Sequence, residues 1–499
     1  MTTLTTRFVS ASLPYVNAVP HIGYAFELVL ADAIARASRE RRVDTVLVSG
    51  TDDNSLKNVR AAADAGEPVA AFVDAKAAAF QALPDKLGVK LDGFARTSRS
   101  AVHRAAVEHV FRRCTERGDV YKKRYRGLYC VACEQFYLPR DLTDGCCSVH
   151  LVPPEEVEEE TYFFRLSRYQ DAIAELLRSG ALRVTPEERR SEALRFVERG
   201  LVDFSISRSV SRARGWGIAV PDDPSQIVYV WFDALIGYLS ALGFPERERF
   251  DRYWTRADRR LHVIGKDILR FHALYWPAIL LSIGEALPSA LLVHGFLSVD
   301  GQKISKSAGN AVDPLPLAER YGADGLRHYF TRHLPATQDA DFSHSRLGAA
   351  YESDLAHQLG NLVSRTLALV QQHCGERSPA AGLPGDAEHE LWRARQDTEL
   401  VAGRSWDALD VNAAARATWD LVLAANRYLD RTAPWRLARE AAKEQLETVL
   451  ATVLATIEHI ARLCAPLLPL TSERILTALS GPTLQRIPPL FPLTHLRDG

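Results

Sequence analysis

Two lysines set among small residues are the first chemical signal in the chain. Residues 301–310 read Gly-Gln-Lys-Ile-Ser-Lys-Ser-Ala-Gly-Asn, so Lys303 and Lys306 are separated by Ile304 and Ser305. Small residues keep such a backbone mobile, hydroxyls offer hydrogen bonds, and two ammonium groups can close on a polyphosphate. That combination suits charge developing on a transferring phosphoryl group. Taken alone, it is also the composition of an ordinary basic surface turn. A second signal lies far upstream, at Pro20-His21-Ile22-Gly23-Tyr24. His21 opens a helix, where free amides and the helix dipole favour an anion, and Gly23 lets a flat ring approach the backbone closely. A lone histidine there also serves as a simple cap.

The third signal is sulfur. Seven cysteines are an odd number, and four of them crowd between positions 130 and 147. Cys130, Cys133, Cys147 and His150 are spaced Cys-x2-Cys-x13-Cys-x2-His. Four full ligands leave no open position, so the metal would be a structural zinc. Cys146 adjoins Cys147 and is a possible substitute, but the spacing to His150 favours Cys147. Cys114, Cys374 and Cys464 read as core residues.

The elements that must carry these groups alternate. Residues 6–12 read as a buried strand, 22–38 as an amphipathic helix, and 43–48 as a second strand; helices follow at 55–65 and 68–87. Strand, helix, strand, helix is the signature of a doubly wound parallel sheet, with ligands beyond the carboxyl ends of the strands. Tyr15, His21 and Asp52 fall there, although the Gly-x-Gly-x-x-Gly fingerprint is absent. The acidic run 155–160 reads as a solvated face. Strands are expected at 162–165 and 205–208. The nucleotide-type fold then resumes with strands at 227–232, 261–267 and 291–296. Beyond about 341 only helices are expected, at 355–370, 387–401, 411–429 and 437–468, forming a bundle. A proline-rich tail from 482 would pack as an extended strap.

Composition narrows the class. At 499 residues the chain exceeds one compact core. A content of 47% hydrophobic and 25% charged residues is that of a soluble globular protein. The apolar run 449–457 is too short to span a membrane. The first residues lack the order of a signal peptide, so a cytoplasmic location is expected. Net charge is −1, so any nucleic-acid partner must be met by local patches.

Together these motifs resemble a known family. His21-Ile22-Gly23-Tyr24 is similar to the His-Ile-Gly-His signature of class I aminoacyl-tRNA synthetases, and Lys303-Ile304-Ser305-Lys306-Ser307 to their Lys-Met-Ser-Lys-Ser loop. The order, the separation, the inserted knuckle and the helical C-terminus resemble the methionyl-tRNA synthetases, over essentially the whole chain. The resemblance implies a Rossmann-like α/β catalytic domain (1–115 and 226–295), a connective insertion with the zinc knuckle (116–225), a lysine-loop stem (296–345) and an all-α anticodon-binding domain (346–499). It further implies ATP-dependent ligation of methionine to tRNA through methionyl-adenylate, with Mg²⁺ accompanying ATP. By carry-over, His21, Lys303 and Lys306 are catalytic, and Gly23, Tyr24, Gly265, Lys266, Asp267 and Ser305 join them at ATP. Leu13, Tyr15, Trp231, Ala234, Leu235, Tyr238 and His294 would line the methionine pocket, with Asp52 on the α-amino group. Asn361, Arg365 and Trp435 would read the anticodon. A monomer is expected, since no dimerising tail follows the bundle.

Two departures stand out. The second histidine of the signature is Tyr24, and the segment usually written Gly-Thr-Asp-Glu-His-Gly reads Gly50-Thr51-Asp52-Asp53-Asn54-Ser55. Both fall around ATP and the aminoacyl end. They leave open a synthetase-like paralogue with impaired or redirected adenylation, and, from another class, a non-catalytic tRNA-binding protein.

Overall fold

Strands buried on both faces read as unbroken apolar runs, and such runs build the centre of this molecule. The computed structural model describes residues 5–130, 135–137, 139, 142–147, 151–303, 312–375, 377–481 and 483–493. The chain falls into two compact units, residues 1–27 with 43–84 and 90–294, and residues 28–42 with 85–89 and 295–499.

In the first unit, six strands form one parallel sheet: β1 (Thr6–Ser10), β2 (Asp44–Thr51), β3 (Gly93–Arg96), β4 (Arg183–Thr185), β5 (Arg259–Gly265) and β6 (Ala290–His294). Their spatial order is β3-β2-β1-β5-β6-β4. Val9 of β1 pairs with Leu47 on one side and Leu261 on the other. From β1 the chain winds outward through β2 and β3, whereas β5 and β6 wind the other way. The carboxyl ends of β1 and β5 therefore form the topological switch point, where such sheets bind ligands. Helix α1 (Ile22–Glu40) follows β1, as its periodicity predicts.

One expected strand is a helix. The apolar run 227–232 is divided: Asp223–Val228 is a strand, and α2 (Val230–Ser240) begins two residues later. All eleven residues of α2 are buried, so no polar stripe marks its period, and a short apolar run does not distinguish strand from buried helix. The strand Asp223–Val228 does not join the main sheet either. It pairs antiparallel with Ser207–Ser209 and Ala219–Val220 in a small sheet of its own.

The insertion is built on two long antiparallel strands, Val120–Cys130 and Glu155–Phe164. The acidic run is thus a largely exposed part of a strand paired with a basic one, with Arg126 to Glu156 at 2.7 Å and Arg124 to Glu158 at 3.1 Å. Exposed pairs like these add little stability, but they favour this register over a slipped one.

In the second unit, Leu297–Val299 lies between Ala340–Phe342 and Gln302–Lys303 in a three-stranded sheet. The bundle comprises α3 (Asn361–Cys374), α4 (Asp386–Ala408), α5 (Val411–Thr432), α6 (Lys443–Cys464) and α7 (Pro469–Leu479). The single helix expected at 437–468 is interrupted. A short turn at Pro434–Arg439 precedes α6, and Ala441 between them has φ +53°. Arg327 is a fully buried anchor, holding Asp32 at 2.8 Å and the carbonyls of Leu467 and Pro466 at 2.9 Å. The described part of the tail, 483–493, packs as the expected strap: Leu490 and Phe491 are buried, and Arg474 donates to the carbonyls of Pro488, Pro489 and Leu490. Cys114 and Cys464 are core residues, and Cys374 is half-buried.

Candidate active site

The loop after β1 and the start of α1 put His21 on the surface at the switch point. Its Nδ1 accepts a hydrogen bond from the Gly23 amide at 3.0 Å, so the ring's own N–H is at Nε2. A Cβ on residue 23 would stand 2.8 Å from His21 Cε1, so any larger residue there would displace the ring from this position. Tyr24, next along, points the other way. It is buried against Phe80, and its hydroxyl lies 2.9 Å from Ser49 Oγ. Burial pushes its phenol well above the usual range, so it stays neutral.

Ser49 leads into a second buried group that sequence reasoning missed. Ser49 Oγ donates to the Ser12 carbonyl at 2.9 Å, while Ser12 donates through its amide and hydroxyl to Glu27 Oε1 at 2.7 and 2.6 Å. The other oxygen of Glu27 lies 2.9 Å from His294 Nε2. A carboxylate flanked by apolar residues on both sides, in the stretch 25–31 of helix α1, was the available signal. His294 also faces Phe26 edge-on at 5.7 Å and borders Gly265, where a Cβ would stand 3.5 Å from its ring and 2.7 Å from Asp267 Oδ1. Lys266–Ile268 then forms a short turn, which puts Lys266 and Asp267 just past the end of β5.

The wall of aromatic rings lies beside these groups. Trp231 stacks on Phe271 at 3.6 Å, and Tyr15 meets Trp231 edge-on at 6.2 Å. Leu13 closes over Gly237, where a Cβ would come within 2.4 Å of it. Ala234 and Leu235 are buried on the same helix as Tyr238. The Tyr238 hydroxyl is 2.7 Å from His272 Nε2, and His272 Nδ1 is 3.0 Å from the Ile268 carbonyl. A carbonyl only accepts, so Nδ1 carries the proton and Nε2 accepts from Tyr238. Burial pushes His272 down to about 4 and Tyr238 well above 10, leaving the pair neutral. Behind them Trp276 donates to His262 Nε2 at 3.2 Å, and burial keeps that ring neutral as well. His272 and Phe271 were missed by sequence reasoning, although they follow Asp267 by about one helical turn and so share its end of the sheet.

Asp52, at the end of β2, is 1% exposed, and its amide donates to the Pro14 carbonyl at 2.9 Å. Asn58 Nδ2 pins the backbone carbonyls of Asp52 and Asp53 at 2.9 and 3.0 Å. The neighbouring departure from the family pattern is absorbed by the protein itself. Asp53 pairs with Arg96 at 2.8 Å, Asn54 Nδ2 donates to Asp233 at 2.7 Å, and Ser55 caps the helix Leu56–Asp64. His103 completes the chain on the other Asp233 oxygen.

Other expected residues fall in different places. Lys303 ends the strand Gln302–Lys303, and Ser305 and Lys306 lie outside the described residues. Cys130 and Cys147 are buried in one small cluster with Tyr137, whose hydroxyl is 3.4 Å from Cys147 Sγ. Cys133 and His150 lie outside the described residues. Two buried thiols in so small a cluster fit a sulfur-ligated structural metal. Asn361 is exposed at the start of α3. The Arg365 guanidinium sits 5.2 Å over the Trp435 ring and 3.3 Å from Asp430.

A parallel sheet with a histidine turn after β1 at its switch point and a helical bundle downstream is the arrangement of a class I aminoacyl-tRNA synthetase. The family described as tRNA synthetases class I (M) matches residues 7–151 and 137–367, and the anticodon binding domain of methionyl tRNA ligase matches residues 378–488. The chain is 41% identical over 475 residues to the methionine–tRNA ligase of a Nostoc species, covering 93% of this chain and 88% of the relative. With that of Mycobacterium tuberculosis it is 39% identical over 489 residues, or 96% and 93%. The solved M. tuberculosis methionyl-tRNA synthetase in complex with methionyl-adenylate superposes with a TM-score of 0.93 at 37% identity, covering 98% of this chain and all of that one. The chain belongs to the methionyl-tRNA synthetase family.

Proposed function

We propose that this chain joins methionine to tRNA in two steps, at the switch point of its parallel sheet. A carboxylate oxygen of methionine attacks the α-phosphorus of ATP, the bond to the bridging oxygen breaks, and pyrophosphate leaves. A hydroxyl of the terminal tRNA ribose then attacks the carbonyl carbon of methionyl-adenylate, and AMP leaves. The work is positioning and electrostatics, without a covalent enzyme intermediate.

The single observation that carries this reading is the neutral Tyr238–His272 pair beside the stacked Trp231 and Phe271. It is a dry aromatic wall of the kind a thioether favours, one sheet position from the His21 turn. Leu13, Tyr15, Ala234 and Leu235 complete the wall, with His294 toward the nucleotide. Asp52 takes the α-amino group. His21, through Nε2–H, and Lys303, Ser305 and Lys306 hold phosphates that also carry Mg²⁺, while Gly23 and the Gly265-Lys266-Asp267 turn receive the adenosine side. Tyr24 backs the site from the core. Asn361, Arg365 and Trp435 meet the anticodon.

Cys130, Cys133, Cys147 and His150 hold a structural zinc, which braces the insertion. Purified protein is expected to contain about one zinc per chain, and Cys130→Ser to lose it together with order in the insertion, as read by metal analysis and proteolysis. The chain is read as a cytoplasmic monomer. The test of function is methionine-dependent ATP–pyrophosphate exchange, followed by charging of tRNA. Tight tRNA binding with no exchange would replace the ligase reading with a binding role.

A further inference from the structure

A second cavity, of about 120 Å³, opens in the catalytic unit on the far side of the aromatic wall, and none of the roles above uses it. Phe196, Arg199, Phe204, Arg270 and Tyr275 are among its lining residues. The Arg270 guanidinium lies 4.3 Å over the Phe196 ring, and Phe204 stacks on Tyr275 at 4.2 Å. Arg199 is exposed at the rim, and Gly200 beside it has φ +89°, which turns the chain back toward the cavity. Among the described residues, neither Arg199 nor Arg270 has a carboxylate partner. The acid in the lining, Asp203, is occupied by the Tyr121 hydroxyl at 2.8 Å and by Ser167. The cavity thus combines flat apolar rings with two uncompensated guanidinium groups.

Its position adds a second argument. Tyr275 meets Phe271 edge-on at 5.3 Å, and Phe271 stacks on Trp231. A continuous run of rings therefore leads from Phe204 through Tyr275 and Phe271 to Trp231, and links the cavity to the proposed amino-acid wall.

Rings and guanidinium planes interleaved at a basic rim are how proteins hold unpaired nucleotides, by stacking the base and neutralising the phosphate. We propose that this cavity binds an unpaired nucleotide of the tRNA acceptor end, its base against Phe204 and Tyr275 and its phosphate at Arg199 and Arg270. This rests on the ligase reading above and names a further subsite for its RNA substrate.

The experiment compares the parent with Arg199→Ala/Arg270→Ala and, separately, with Phe204→Leu. Three quantities are measured: methionine-dependent exchange, tRNA charging, and binding of full-length tRNA against tRNA lacking its unpaired 3′ nucleotides. The expected result is exchange within about twofold of the parent and kcat/KM for charging lowered about tenfold or more by either variant. The preference for full-length over shortened tRNA should disappear. The double variant should also show a shallower salt dependence, by about 0.7 in log–log slope for each phosphate no longer neutralised. Unchanged charging and an unchanged preference would overturn the proposal. So would a parallel loss of exchange and charging, which would mark these residues as structural. No exchange in the parent would instead overturn the ligase reading itself.

Discussion

The proposed amino-acid wall and the proposed anticodon face are built in opposite ways. In the wall, Trp231, Tyr238 and His272 are buried; Trp231 stacks on Phe271, Tyr238 and His272 hydrogen-bond each other, and burial holds that pair neutral. On the bundle, Asn361 and Arg365 are exposed, and Arg365 rests on Trp435 and leans on Asp430 at 3.3 Å. A small ligand gives few contacts, so its site is built in advance and kept dry, where each polar group counts for more. A polynucleotide brings many contacts and its own charge, so residues proposed to read it can stay solvated and exchange an exposed partner for a base. On the proposed roles, burial follows the chemistry of the substrate, and exposure in the bundle is no sign of lesser importance.

The largest departure from this contrast is expected from Trp231→Ala. Removing the ring that stacks at 3.6 Å on Phe271 is expected to destabilise the protein by about 3–5 kcal/mol, and to abolish saturable methionine exchange while tRNA binding persists. Thermal unfolding and exchange kinetics check it. Arg365→Ala should do the reverse, lowering kcat/KM for charging about tenfold to a hundredfold with exchange and stability unchanged, since its ion pair is exposed.

Acid separates the two regions further. The folded pKa of His272 lies near 4, below its unfolded value of about 6.5, so its contribution to stability is complete above pH 6.5 and is lost as pH falls toward 4. Urea unfolding should show a decline of about 1.4 kcal/mol per pH unit from this ring, and His272→Gln should remove that share of the slope. The smallest effect is expected from Tyr24→Phe. The ring would stay packed on Phe80 while Ser49 keeps its bond to the Ser12 carbonyl, so stability should fall by about 1 kcal/mol and exchange by only a few-fold.

Much of this was legible in the sequence because it depends on local rules. The alternation of β1, α1 and β2 put His21 and Asp52 at one end of a sheet, and glycine at 23 signalled close approach. What was not legible depends on tertiary partners. Helix α2 hides its period because every face is covered. Glu27 and His272 each sit between apolar neighbours in the chain, and only the fold shows that Ser12 and Tyr238 meet them. Tyr24 reads as a phosphate-side residue by analogy with the histidine it replaces, yet its hydroxyl meets Ser49 in the core. The change at Asn54 looks like a loss until its bond to Asp233 is seen.

The central claim is that this site activates methionine. The most direct measurement is ATP–pyrophosphate exchange with methionine, run beside Tyr24→His. The predicted result is saturable exchange in the parent that requires methionine, with the tyrosine acting only to tune the rate. Absence of methionine-dependent exchange in both proteins would contradict that claim.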